Sequence, residues 1–185
     1  MGEALAAGAT PGRRAWVGLC VCLALGLAAR LGAVALPHVM GSVTVSGRPL
    51  AWWADRPFFP DSLEYIVVAR NIRSGDGLMV DAASRIGRMP GYPVFLALVQ
   101  TLFGESILAV RVADALVGTG VVALAWLLAR ELFGRREALA AGLITAVYPF
   151  LVLQTVLILS EVLFIACMLA GGLCLAWAWK RESVK

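Results

Sequence analysis

Two carboxylates three residues apart open the least apolar part of an otherwise greasy chain. They are Asp61 and Glu64, in the stretch FFPDSLEYIVVARNIRSGDG, residues 58–77. Residues at i and i+3 of a helix share a face, so the two acids can act on one side of it. Grouped carboxylates move protons or hold a cation. The same spacing also suits plain structure. Asp is a favoured N-cap, and an acid three residues later completes a variant of the capping box. A cap contributes about 1 kcal/mol and would account for both residues. Spacing alone leaves the two readings open. A third acid, Glu161, stands in the apolar run LSEVLF. Arg111 and Asp114 are three apart inside another apolar run and can pair with each other. Charges within a membrane often mark function, but these two lie near one end of their run, which favours a structural ion pair. Cys20, Cys22, Cys167 and Cys174 lack the spacing and polar setting of a zinc or redox site, and they read as small buried hydrophobes.

These residues must be positioned by membrane helices. Of 185 residues, 61% are hydrophobic, against about 45–50% in a soluble domain. The formal charge of +4 is modest and the basic residues form no stripe, so nucleic acid is not an expected partner. A span needs about 20 mostly apolar residues. Four such runs are expected, at residues 15–36, 106–129, 138–157 and 161–179. Arg30 interrupts the first, near an end from which its stem can reach the interface. A secretory signal ending at the small-x-small AVA of residues 33–35 is the rival for this run. Its apolar length and the spans that follow argue against it.

The short segments RELFGRRE (130–137) and KRESVK (180–185) are rich in Lys and Arg, and basic loops stay cytoplasmic. The chain between them must therefore cross out and back, with Pro149 and QTVLILSE at the outer turn. Both termini come out cytoplasmic, residues 37–105 form one long outer loop, and Asp61, Glu64 and Glu161 share one membrane face. Within that loop SVTVSGRPL (42–50) suits a short strand or extended piece. Tyr65, Val68, Ala69 and Ile72 recur at the helical period, and SGDG ends that helix with glycines. Such an amphipathic helix lies in the interface plane. The apolar run from Pro93 to Phe103 is too short to span and suits a re-entrant or interfacial helix. His38, Tyr65 and Tyr92 are expected at the interface, the tyrosines as belt aromatics.

The ordered series PDSLEYIVVARNIRSGDGL, R-x-PGYPVFLALVQTLFG, AVRVADALVG, LLARELFGRREALAAGL, YP and LSEVLF resembles the GT-C membrane glycosyltransferases. It is most similar to the dolichyl-phosphate-mannose-protein mannosyltransferase-like group, with its lipid A aminoarabinose and galacturonic acid transferases. The likeness runs from about residue 15 to 180. It implies an all-α integral membrane protein: four transmembrane helices, with amphipathic juxtamembrane helices in the first outer loop, as the N-terminal part of a GT-C fold occupying residues 1–185. It further implies a sugar moved from a polyprenyl-phosphate donor to an acceptor on the outer face of the cell membrane.

By the same resemblance Asp61 corresponds to the family's first-loop acid. A carboxylate there can accept the acceptor hydroxyl's proton or hold a divalent metal cation against the leaving phosphate. Glu64 is the weaker catalytic candidate, and Glu161 matches an acid near the outer start of the fourth span. Arg88 suits the donor phosphate, since a guanidinium meets phosphate oxygens in pairs; an interfacial anchor is its alternative. Tyr65 is placed beside it on the substrate side. Family members carry more spans, so the resemblance also implies a partner chain or further helices, with membrane lipids around them. The rival function is a non-catalytic scaffold or remnant, packing through small residues such as Gly118, Gly120, Gly171 and Gly172. A transporter finds no mid-depth polar pathway to support it.

Overall fold

The apolar runs become helices. A computed structural model describes residues 13–45, 47–54, 56–57, 59–80 and 89–182. In chain order these form α1 (Arg13–Val39), β1 (Thr44–Val45), β2 (Arg48–Pro49), α2 (Leu50–Ala54), α3 (Pro60–Ser74), α4 (Gly91–Phe103), α5 (Ile107–Leu132), α6 (Arg135–Val147), α7 (Pro149–Leu157) and α8 (Glu161–Glu182). The two strands make a minimal antiparallel ladder, Thr44 opposite Pro49 and Val45 opposite Arg48. Helices α1, α5 and α8 are each long and apolar enough to cross a membrane. Helices α6 and α7, bent by 46° where they meet, make a fourth span if taken together. The protein is an all-α, multi-pass membrane protein. Pro149 stands at the bend of the α6–α7 pair rather than at a turn between spans, and the break before α8 falls at residues 158–160.

The chain divides into two compact units. One comprises the described residues of Met1–Arg30, Leu116–Val152 and Val162–Lys185; the other comprises those of Leu31–Ala115 and Leu153–Glu161. In the first unit Leu19, Cys22, Val122, Trp126, Ala138 and Ala146 form the core. Gly142 lets two helices meet there, because a Cβ at that position would lie 2.9 Å from the Cys22 Sγ and 3.1 Å from the Trp126 ring. Of the four cysteines only Cys22 is buried in protein; the others lie on helix faces that an apolar bilayer suits equally well. At the far ends of α5 and α8, the Lys180 Nζ donates to the Glu131 carbonyl at 2.8 Å and its carboxylate at 2.7 Å.

Arg30 departs from expectation. Instead of reaching for the interface it is fully buried. Its Nη1 donates to the Gly26 carbonyl at 3.0 Å and the Ala146 carbonyl at 3.3 Å, and its Nη2 reaches the Thr145 carbonyl at 3.5 Å. The reason lies in α6. Its last carbonyls have no helical donors ahead of them, and Pro149, four residues after Thr145, has no N–H to offer. A cation at a helix C-terminus also meets the favourable end of the helix dipole. Gly118 lies so close that a Cβ there would come within 2.5 Å of the Arg30 Nε. Of the small residues expected to pack helices, Gly118 makes such an approach, whereas Cβ atoms on Gly120 and Gly171 would meet nothing within 4 Å among the described residues.

In the second unit α3 packs on α4. Tyr65, Val68 and Ala69 are buried as the helical period predicts, and α4 contributes Tyr92, Leu96, Ala97 and Val99. The expected glycine stop is present: Gly75 adopts φ 90°, its N–H meets the Ile72 carbonyl and the Asp76 N–H meets the Asn71 carbonyl. Arg70 grips the Glu105 carboxylate with two bonds of 3.0 and 2.6 Å. Those hydrogen bonds, with the charge behind them, hold the Glu105 carboxyl below its usual range.

Candidate active site

Helix α3 carries Asp61 in its first turn and Glu64 just beyond it, and its start differs from the expected one. The N-cap is Phe59, in extended conformation, and Pro60 occupies the first turn without any side-chain cap bond. Proline suits that position because its φ is already helical and its missing N–H would have been unpaired anyway. Asp61 is therefore one turn position inside the helix, and the capping-box reading of Asp61 and Glu64 fails. In the first turn Asp61 also meets the favourable end of the helix dipole, about 0.3–1 kcal/mol at a partly exposed site. Asp61 and Glu64 are half-buried, and Glu161, the first residue of α8, is exposed.

Two hydrogen bonds hold this turn against the chain that leads into Glu161. The Ser62 Oγ donates to the Leu157 carbonyl at 2.7 Å, which satisfies an orphan acceptor at the end of α7. The hydroxyls of Tyr65 and Ser160 lie 3.2 Å apart. Between them Ile158, fully buried, adopts φ 55°, a conformation that costs a β-branched residue about 1–2 kcal/mol. The surrounding contacts must hold it there. The segments bearing Asp61, Glu64 and Glu161 are thus joined.

Behind them lies a buried polar layer. The Tyr92 ring meets the Tyr65 ring edge-on at 5.2 Å, and its hydroxyl donates to the Asp114 carboxylate at 2.8 Å. Burial pushes the Tyr92 hydroxyl well above the usual tyrosine range; Asp114 pushes the same way, with Tyr65 and Glu161 adding to it. Tyr92 is accordingly a neutral donor, and it feels the charge of Glu161. Neither tyrosine is a belt residue: both are buried in protein, where a ring packs and a hydroxyl finds a partner. Nor do Arg111 and Asp114 pair with each other. Asp114 accepts from Tyr92, while Arg111 donates to the carbonyls of Ala54, Arg56 and Val156.

Arg88 lies outside the described residues. His38 is exposed. Among the described residues no three His, Cys, Asp or Glu side chains come together as metal ligands. Among the described residues, then, the expected cation at Asp61 finds no cage of three such ligands. Ser62, Ser160 and the Tyr92–Asp114 bond escape a reading of the sequence. The signal that could have exposed them is a polar side chain on the apolar face of an amphipathic helix, which must find a partner once buried.

The family model for dolichyl-phosphate-mannose-protein mannosyltransferase matches residues 88–185. That span takes in α4 to α8, including Tyr92, Arg111, Asp114 and Glu161, and leaves Asp61 and Glu64 before it. No curated protein and no solved structure matches the chain. With just over half of its length matched, the chain belongs to the dolichyl-phosphate-mannose-protein mannosyltransferase family, a family of membrane glycosyltransferases.

Proposed function

We propose that this protein transfers a sugar from a polyprenyl-phosphate donor to an acceptor hydroxyl at the outer face of the cell membrane, with Asp61 as the proton acceptor. The supporting observation is the pair of contacts, Ser62 to Leu157 and Tyr65 to Ser160, that ties the turn bearing Asp61 to the approach of Glu161. In this reading the acceptor oxygen attacks the anomeric carbon and its proton passes to the Asp61 carboxylate. The bond from that carbon to the phosphate oxygen breaks, and the polyprenyl phosphate leaves with the bonding electrons. Proton transfer by a positioned side chain contributes about 10²–10⁴-fold. Glu64 and Glu161 shape the acidic wall of the site, Tyr65 orders it from behind, and Arg88 receives the donor phosphate in pairs of hydrogen bonds. Both termini are cytoplasmic in this arrangement.

The test is Asp61→Asn in proteoliposomes supplied with labelled polyprenyl-phosphate sugars and a native membrane extract as acceptor. Asparagine keeps the size and much of the hydrogen-bonding capacity of aspartate, so the substitution removes the proton acceptor with the least change of shape. Transfer should fall about 100-fold or more with an unchanged melting temperature, and Glu64→Gln should cost far less. Near-normal turnover in Asp61→Asn would remove Asp61 from the chemistry. Absence of transfer by the unaltered protein with every donor would sink the proposal itself.

A further inference from the structure

We infer that Arg111 is the positioning residue of the transfer site, one guanidinium that fixes the two chain segments bearing Asp61 and Glu161; this rests on the proposed role of those acids. Arg111 stands in α5 and is 1% exposed. Its Nη1 donates to the carbonyl of Ala54, the last residue of α2, and its Nη2 to the Arg56 carbonyl at 2.8 Å. The Nε donates to the Val156 carbonyl, in the last turn of α7, at 3.1 Å. Asp61 follows Arg56 by five residues, and Glu161 follows Val156 by five. The three acceptors thus sit just upstream of both acids, on segments a hundred residues apart in sequence.

The chemistry suits arginine and little else. A helix C-terminus presents carbonyls without intrahelical partners and the negative end of its dipole, and Arg111 meets two such ends at once. Its planar fork carries several donors in fixed directions, whereas a lysine ammonium is a point charge on a flexible stem. The α7 end is shared, since Arg111 takes the Val156 carbonyl and Ser62 of α3 takes the next one, Leu157. The left-handed Ile158 turns the chain away there. Asp114 lies one turn along α5 and holds Tyr92, while Arg111 donates to these three main-chain carbonyls and so bears on where the backbone runs. Arg111 acts through the segments that carry Asp61 and Glu161.

The experiment uses Arg111→Lys in the cysteine-replaced protein in proteoliposomes, with spin labels at the exposed positions 63 on α3 and 153 on α7. Sugar transfer from labelled polyprenyl-phosphate donors is followed in parallel. Lysine keeps the buried charge but cannot reach three carbonyls on two segments. The label separation should broaden from one narrow distribution, and kcat should fall by about 10–100-fold with KM little changed, the scale for an ångström of misplacement at a reacting centre. A residue that only stabilised the fold would lower the yield of active protein and leave the kcat of the folded fraction intact. A narrow distribution, a normal kcat, or failure of Arg111→Lys to fold at all would each overturn the assignment. If Asp61→Asn transfers normally while Arg111→Lys still broadens the distances and slows turnover, the clamp stands and the role given to Asp61 falls.

Discussion

Replacing Tyr92 by Phe removes one oxygen atom and leaves the ring in place. Its contacts with the rings of Tyr65, at 5.2 Å, and Phe95, at 5.9 Å, survive, so the variant isolates a single hydrogen bond. That bond, 2.8 Å from the Tyr92 hydroxyl to the Asp114 carboxylate, lies where both residues are at most 2% exposed. Water cannot replace the lost donor at such a depth. Leaving a buried acceptor unpaired costs about 1–3 kcal/mol, more if it is ionised. A central loss of about 2 kcal/mol lowers the melting temperature of a chain this size by about 4–8 °C. The assay is thermal unfolding of the detergent-solubilised protein, followed by tryptophan fluorescence. Tyr65→Phe is the control: its hydroxyl meets a part-buried serine, and the loss should be nearer 0.5–1.5 kcal/mol. Adding Asp114→Leu to Tyr92→Phe should recover stability, because two apolar partners leave nothing unpaired. A Tyr92→Phe protein that melts within 1 °C of the parent, or a double variant worse than the sum of its parts, would refute the reasoning.

Two further outcomes follow from the helices. Gly118→Ala should destabilise by about 1–3 kcal/mol, because the new methyl would press on an Arg30 Nε whose guanidinium is already tied to three carbonyls. Gly120→Ala, with open space around it, should gain up to about 1 kcal/mol of helix propensity, and equal melting temperatures for the two variants would contradict the packing described. For orientation, single cysteines at the exposed positions 76 and 136, in a protein without its native cysteines, should differ in labelling by an impermeant reagent. Equal labelling at 76 and 136 would defeat the proposed topology.

What was legible in the sequence is what depends on neighbours along the chain. The buried stripe of α3 followed from the period of Tyr65, Val68 and Ala69, its end from Gly75, and the short α4 from a mostly apolar run of eleven residues, too few to span. The start of α3 was misjudged by two residues because a good N-capper stood beside a proline better suited to open the helix. Arg30 and the Arg111–Asp114 spacing misled for one shared reason. Proximity in sequence suggested the interface for one and a mutual pair for the others, while the actual partners come from distant segments. The candidate acids could be named from the sequence, but their segments could not be joined to each other. The atoms that join their segments belong to Ser62, Leu157, Tyr65 and Ser160, whose partners lie 95 residues away along the chain.

The burial of Arg30 also sets a timetable for biogenesis. Its acceptor on Ala146 lies 116 residues downstream, so at translation rates of roughly 5–20 residues per second α1 waits roughly 6–23 s for that carbonyl to be synthesised. During that interval the arginine faces lipid or the insertion machinery, where a charge at mid-helix costs about 2.5–3.5 kcal/mol. The first span of the chain must therefore enter the membrane in a provisional position, with its guanidinium drawn toward water. It takes its final depth only when α6 arrives and Pro149 has left a carbonyl open for it.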